Sequence, residues 1–253
     1  MDKWKFFDIL HKRHLLCNPM NEHKFERLIE LLNLENGSRV LDIACGKGEF
    51  LIRLTELYNI SGVGVDLSPY CIRDCLEKKN TRVPKSDLEF VEMGGADYKL
   101  DHTGPFDVAM CIGASWIYGD HRGTIQALKK FIKPGGLILV GEPFWLKEPG
   151  KEYLNADGIR KEQFTSHYNN VKIGEEEGLA CIYTLVSEKD DWDHYETLQW
   201  LATDEFIKSN PEDRDILELC ERSKKMKEVF LRWGRDTMGW AIYVFRNQKC
   251  NKE

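Results

Sequence analysis

The sequence predicts a doubly wound α/β domain, a mostly parallel sheet covered by helices on both faces. Three observations predict it: a strand that ends in a glycine turn and opens a helix over 39–57, a second strand that ends in an acidic residue over 62–66, and strand–helix alternation onward to about residue 140. With 253 residues, 42% of them apolar and 31% charged, the chain can bury a full core as one domain over 1–253 without disulfides or metal. No apolar run is long enough to span a membrane, and the stretch from Met1 to His14 lacks the apolar core of a secretory signal, so the expected location is cytoplasmic.

The elements follow in order. Phe25, Leu28, Ile29 and Leu32 form an i, i+3, i+4, i+7 stripe that predicts an amphipathic helix, which Asn36-Gly37 stops. Residues 39–44 read as a short buried strand, the small residues Cys45-Gly46-Lys47-Gly48 as a turn, and Phe50, Leu51, Leu54 and Leu57 as the inward face of the next helix. The strand 62–65 ends at Asp66, and Ser68-Pro69 opens a helix as N-cap and first turn. Further strands are expected over 88–91, 106–111 and 137–140, with a helix near 121–132 and a turn at Pro134-Gly135-Gly136. The last third changes texture. Residues 180–186 and 240–245 read as sixth and seventh strands, and between them 190–235 carries a charged, aromatic-rich helical pattern, with a helix start at Asn210-Pro211 and a stop at Gly234.

Charge and cysteines narrow the chemistry. With 36 basic and 42 acidic residues, the net charge of −6 leaves no broad cationic face for a nucleic-acid backbone. The eight cysteines include no CxxC pair; Cys71 and Cys75 would share a helix face, but two ligands do not make a metal site, and no metal is expected.

The most informative segment is Val40-Leu41-Asp42-Ile43-Ala44-Cys45-Gly46-Lys47-Gly48. A Gly-x-Gly turn lets backbone approach a ligand, and the following helix offers free N–H groups. A dinucleotide site would want a third glycine at position 51, which is leucine, and Asp42 at the strand end would repel a pyrophosphate but welcome a cation. Asp66, twenty residues beyond Gly46, can accept both hydroxyl protons of a ribose.

The runs VLDIACGKG, GVGVDLS, FDVAMCIGAS and LKKFIKPGGLILVGEP together resemble the successive motifs of class I S-adenosylmethionine-dependent methyltransferases, over about residues 20–145 plus the final strand pair. The match is to the small-molecule type, similar to the ubiquinone and menaquinone biosynthesis group. The resemblance implies a Rossmann-like seven-stranded sheet with an antiparallel last strand, S-adenosylmethionine as donor and S-adenosylhomocysteine as product. It implies that Asp42, Ala44, Cys45, Gly46 and Gly48 surround the methionine end and that Asp66 binds the ribose. Leu67, Gly95, Ala96 and Asp97 would lie near the adenine, and Cys111 and Ile112 beneath the sulfonium. Many relatives read Gly-Asp-Ala where this chain has Gly94-Gly95-Ala96, so the adenine-side carboxylate is either Asp97, displaced, or absent. As ordinary residues, Cys45 and Cys111 read as packing.

After the fourth strand the chain lacks the Asn/Asp-Pro-Pro-aromatic signature of nucleobase amine methylation, which disfavours DNA, and no basic run supports RNA. The expected partner is a small-molecule acceptor, with no membrane; the sequence leaves the acceptor atom and the oligomeric state open. The catalytic candidates are Glu142, Trp116 and Tyr195, with Tyr118, His121 and Trp145 also expected at the strand ends. Trp116 reads equally as rim packing, and His121 as a surface residue at a helix N-terminus. The cluster Asp190-Asp191-Trp192-Asp193-His194-Tyr195-Glu196, with Gln199 and Trp200, opens the insertion; it could bind a cationic or aromatic acceptor, or be a helix start with aromatics packed beneath. Residues 1–20, with Trp4, Phe6, Phe7, His11 and His14, and the insertion 190–235 are expected to cover the site together. A nicotinamide-dependent oxidoreductase and a non-catalytic donor-binding protein are the alternatives.

Overall fold

The computed structural model describes residues 1–100 and 104–248; Cys250 lies outside the described residues. Before the sheet come α1 (Lys3–Leu10) and α2 (Glu22–Leu32), each with a side-chain cap: Asp2 accepts from the Trp4 and Lys5 N–H groups, Asn21 from that of Lys24. The α2 stripe is buried as its spacing requires, but the helix stops at left-handed Asn33 instead of at Asn36-Gly37. Then follow β1 (Arg39–Ile43), α3 (Glu49–Tyr58), β2 (Ser61–Asp66), α4 (Pro69–Arg82), β3 (Leu88–Glu92), β4 (Phe106–Ile112) and α5 (His121–Lys129). The fifth strand, β5 (Ile132–Trp145), is longer than the sequence suggests. Pro134-Gly135-Gly136 lies within it, beside a register shift against β4, and does not precede it as a separate turn.

Residues 150–178, which carry no clear periodicity, form α6 (Lys151–Asp157), a short 3₁₀ turn and α7 (His167–Glu176). Then come β6 (Leu179–Val186), α8 (Lys189–Ser209), α9 (Ile216–Val229), a three-residue helical turn (Arg235–Thr237) and β7 (Met238–Asn247). Asn210-Pro211 lies between α8 and α9, ahead of the helix start at Ile216, and Gly234 closes a π-helical turn, Phe230–Gly234, in place of a simple stop.

The seven strands run in the order β3-β2-β1-β4-β5-β7-β6, parallel except for β7, which is antiparallel to both β5 and β6. Alternate residues of each strand feed opposite cores. Val40, Met110 and Leu139 pack with Phe25, Leu28 and Leu51 of α2 and α3 on one face, while Leu41, Ala109 and Val140 pack with Ile125 and Leu128 of α5 on the other. A third, smaller core joins Phe6, Ile9 and Leu10 of α1 to Leu219 of α9. The amino-terminal helix therefore packs against the 189–229 helices, across the end of the sheet where β1, β2 and β4 terminate.

Candidate functional site

A pocket of about 360 Å³ opens at the carboxyl ends of β1, β2 and β4, the position ligands take in such sheets. Its floor is backbone. Ala44, Gly46 and Gly48 all have positive φ (59°, 53° and 71°), so the chain after β1 curls away from the sheet and leaves room above it. The Gly46 N–H donates to Asp66 Oδ2 (2.9 Å) and the Ser68 N–H to Asp66 Oδ1 (2.8 Å), which fixes the carboxylate at the pocket wall. Burial raises the Asp66 pKa against the pull of these N–H groups. Burial, and then Asp66, push Asp42 well above the usual carboxylate range. Two neighbouring strand-end carboxylates with no cation between them suit a ligand that carries positive charge next to hydroxyl groups, as S-adenosylmethionine does.

Asp42, Ala44, Cys45, Gly46, Asp66, Leu67, Gly95, Ala96, Ile112 and Trp116 all line this pocket. Gly48, Asp97 and Cys111 do not. A Cβ on Gly48 would lie 2.8 Å from Cys75 Sγ and 3.0 Å from the Phe90 ring, so this glycine serves the packing of α4 and β3 against the turn. Asp97 folds back within the 3₁₀ turn Gly95–Asp97, its carboxylate 2.7 Å from where a Cβ of Gly94 would stand. Cys111 is fully buried in the core. Tyr118 donates to the Gly95 carbonyl (2.9 Å), which ties the segment after β4 to that turn.

The roof comes from the chain's start. Trp4 and Phe7 of α1 and the stretch Leu15–Asn18 face the pocket. Lys47, buried within the glycine turn, holds that roof from below: its ammonium donates to the His11 carbonyl (2.6 Å) and the His14 carbonyl (3.4 Å) and pairs with Asp74 (3.7 Å). Nothing in the spacing of Gly46-Lys47-Gly48 signals this role, because the carbonyls it holds lie more than thirty residues earlier in the chain.

Tyr195 does not line the pocket; it locks α8 to the roof. The His11 Nδ1–H donates to the Phe7 carbonyl (3.0 Å), so His11 Nε2 accepts from the Tyr195 hydroxyl (2.7 Å). His14 Nε2 donates to the Tyr195 carbonyl (2.8 Å). Burial, then His14 and Lys47, push His11 down to about 3, and burial pushes His14 down to about 4, so both rings are neutral at physiological pH. The His11 ring stacks on Phe7 at 4.0 Å, which carries this lock to the pocket roof.

Glu142 also lies off the pocket, 2% exposed beneath the 3₁₀ turn Ser115–Tyr118. Its Oε2 has no hydrogen-bond partner, and burial, opposed by the Ser115 hydroxyl, pushes it up to about 8. His121 is not a surface residue: it is buried, donates through Nε2 to the Asn170 carbonyl (3.1 Å), and is held neutral by burial at about 4. The cause is α7, which the sequence did not reveal and which covers the start of α5. Trp116, by contrast, is 72% exposed at the pocket mouth, and the Trp145 indole donates to the Lys161 carbonyl (2.9 Å). Among the described residues no three His, Cys, Asp or Glu side chains converge as metal ligands.

Residues 40–136 match the family described as a methyltransferase domain. The S-adenosylmethionine-dependent methyltransferase of Thiobacillus denitrificans, solved with S-adenosylhomocysteine, is 31% identical and superimposes with a TM-score of 0.88 over 97% of this chain and 99% of that one. A second, from Geobacter sulfurreducens and also solved with S-adenosylhomocysteine, gives 27% identity and a TM-score of 0.89 over 95% and 97%. The Escherichia coli K12 protein YjhP is 27% identical over 96% of this chain and 98% of its own length. A wheat phosphoethanolamine N-methyltransferase is 26% identical over 88% of this chain, which spans 41% of that longer protein. The ubiquinone group is matched only distantly, as by the O-methyltransferase of Colwellia psychrerythraea, 26% identical over 61% of this chain.

Proposed function

Because the chain belongs to the class I S-adenosylmethionine-dependent methyltransferases, we propose that it methylates a small molecule held at the mouth of the strand-end pocket under a cover made by its own residues 1–20 and 190–235. The donor is S-adenosylmethionine and the spent donor S-adenosylhomocysteine; neither a nicotinamide oxidoreductase nor a non-catalytic binding protein is favoured.

The observation that carries the small-molecule reading is the roof. Trp4, Phe7 and Leu15–Asn18 leave about 360 Å³ for donor and acceptor together, and a macromolecular strand or segment would have to displace them. The net charge of −6 points the same way for nucleic acid. The wheat relative is named for phosphoethanolamine, itself a small molecule.

When bound, the donor supplies a methyl group on a positively charged sulfur, open to in-line displacement. In this reading Asp66 accepts from the ribose hydroxyls, Asp42 faces the cationic end, and the turn at Ala44, Cys45 and Gly46 holds the amino-acid portion. The Gly95-Ala96 turn and Leu67 flank the adenine, and Ile112 lies beneath the sulfonium. Gly48 shapes the turn from behind, Cys111 supports Ile112, and Asp97 holds its own turn without touching the adenine. Trp116 borders the acceptor and excludes water with Trp4 and Phe7. Glu142 and Tyr195 are positioning residues, the first beneath the turn that carries Trp116 and the second behind Phe7. No helix among the described residues is long and apolar enough to cross a membrane. Seven free cysteines among the described residues, several of them around the glycine turn, favour a reducing compartment, the cytoplasm.

The test is binding followed by an acceptor screen. At about 100 times its dissociation constant, S-adenosylhomocysteine should add roughly 2.7 kcal/mol and raise the melting midpoint by about 5–10 °C, with no response to NADH. Removing residues 1–18 should weaken both donor binding and methyl transfer. Unchanged binding and turnover in that truncation would refute the cover, and transfer to RNA or protein alone would refute the small-molecule acceptor.

A further inference from the structure

We propose that a second cavity, between α6, α8 and the π-helical turn, binds a small organic cation, an alkylammonium group, through an aromatic and carboxylate cage. Its volume is about 130 Å³, and none of its lining residues is shared with the donor pocket. A cavity of about 150 Å³ holds a benzene ring, so this one suits a head of five or six heavy atoms.

Three aromatic rings line it: Tyr153 from α6, Trp192 from α8 and Phe230 from the π-turn, with Trp192 and Phe230 stacked at 6.4 Å. Two carboxylates join them, Glu196 one turn along α8 from Trp192, and Asp157 one turn along α6 from Tyr153. Glu196 has no hydrogen bond or ion pair to the described residues. Its one strong charged neighbour is Asp157, and burial together with that neighbour pushes it up to about 7. Lys225 acts on Asp157 from outside the lining. A carboxylate left half-buried without a counterion is costly, and ring faces around it attract cations as well.

The π-turn is a second, independent sign. Such turns are rare and gather at functional sites. Here the turn brings both Phe230 and Gly234 to the cavity, and a Cβ on Gly234 would lie 3.4 Å from the Tyr153 hydroxyl. The missing side chain keeps the space open.

Because this cavity shares no lining with the donor pocket, the cation it takes is a ligand outside the methyl-transfer reaction, separate from the acceptor held at the pocket mouth. The probes are choline and its neutral isostere 3,3-dimethyl-1-butanol, titrated by calorimetry into the full chain saturated with S-adenosylhomocysteine. Choline should bind at least 10-fold more tightly than the alcohol, and Glu196→Gln and Gly234→Ala should each lower choline affinity at least 10-fold. S-adenosylhomocysteine affinity, read at the other site, reports that the variants are folded. Equal binding of the two probes, or full choline affinity in a folded Glu196→Gln, overturns the cage. Failure of S-adenosylhomocysteine to bind the unmodified protein would instead strike the methyltransferase reading.

Discussion

The proposed donor side of the pocket is made of backbone and strand ends: Ala44 and Gly46 at positive φ and two carboxylates, all within residues 42–66. The proposed cover side is made of side chains that reach between distant segments, Lys47 to the His11 carbonyl, His11 to Tyr195, Phe6 to Leu219. A site built from one continuous turn is fixed as soon as β1, β2 and β4 pair. A site built from long-range side-chain contacts forms only when the whole chain has folded, and it can open without unfolding the sheet.

The comparison is sharpest at Asp66. Asp66→Ala removes the anchor of the Gly46 and Ser68 N–H groups and, in the proposed reading, a charged acceptor for two hydroxyl groups. At about 1.5–3 kcal/mol per charge-assisted hydrogen bond, the donor dissociation constant should rise about 100-fold or more, measured by calorimetry. An effect under 3-fold would break the assignment.

Glu142→Gln should act on stability and its pH dependence instead. The carboxyl is raised to about 8 in the folded protein from an unfolded value near 4.5. Between those values the folded state binds more protons than the unfolded state, so the wild type loses stability as pH rises from about 4.5 to 8 and changes little beyond. The glutamine variant lacks that loss and should gain on the order of 4 kcal/mol relative to wild type by pH 8.5, and little at pH 5. Denaturant melts at both pH values check this, and parallel profiles would show that Glu142 is not desolvated.

Lys47→Met tests the join between the two sides. Loss of the ammonium that holds the His11 and His14 carbonyls should weaken donor binding about 10-fold and speed proteolytic cleavage within residues 1–20, with partial rescue by Lys47→Arg. The smallest effect is expected at the exposed Arg13–Glu205 pair on the outside of the cover. Arg13→Ala should cost at most about 1 kcal/mol and leave donor affinity unchanged.

The same contrast explains what could be read from the sequence. Asp42, Gly46 and Asp66 were legible because a strand, a turn and a helix in immediate succession write their chemistry into neighbouring residues. The seven strands were legible because buried strands read as short apolar runs. The helices of 150–178 were not, since α6 and α7 are short, and of their residues only Tyr153, Asn170 and Gly174 are buried. Without α7 the burial of His121 could not be foreseen, and without α6 the cluster at 190–196 lacked the partners, Tyr153 and Asp157, that turn Trp192 and Glu196 inward to a cavity. The place of Tyr195 depended on His11 and His14, about 180 residues earlier in the chain. Local pattern does not encode a meeting of that kind.

The position of β7 between β5 and β6 has a consequence for synthesis. As the chain emerges at about 5–20 residues per second, β1 to β5 can pair in turn, and the donor turn can take shape early. β6 has no partner until Met238–Asn247 arrives and fills the gap. For that interval the edges of β5 and β6 that β7 will later cover are both unpaired, each able to recruit a neighbouring chain. The strand that seals the sheet is therefore made after both of its neighbours, and those two edges stay open to aggregation until residues 238–247 emerge.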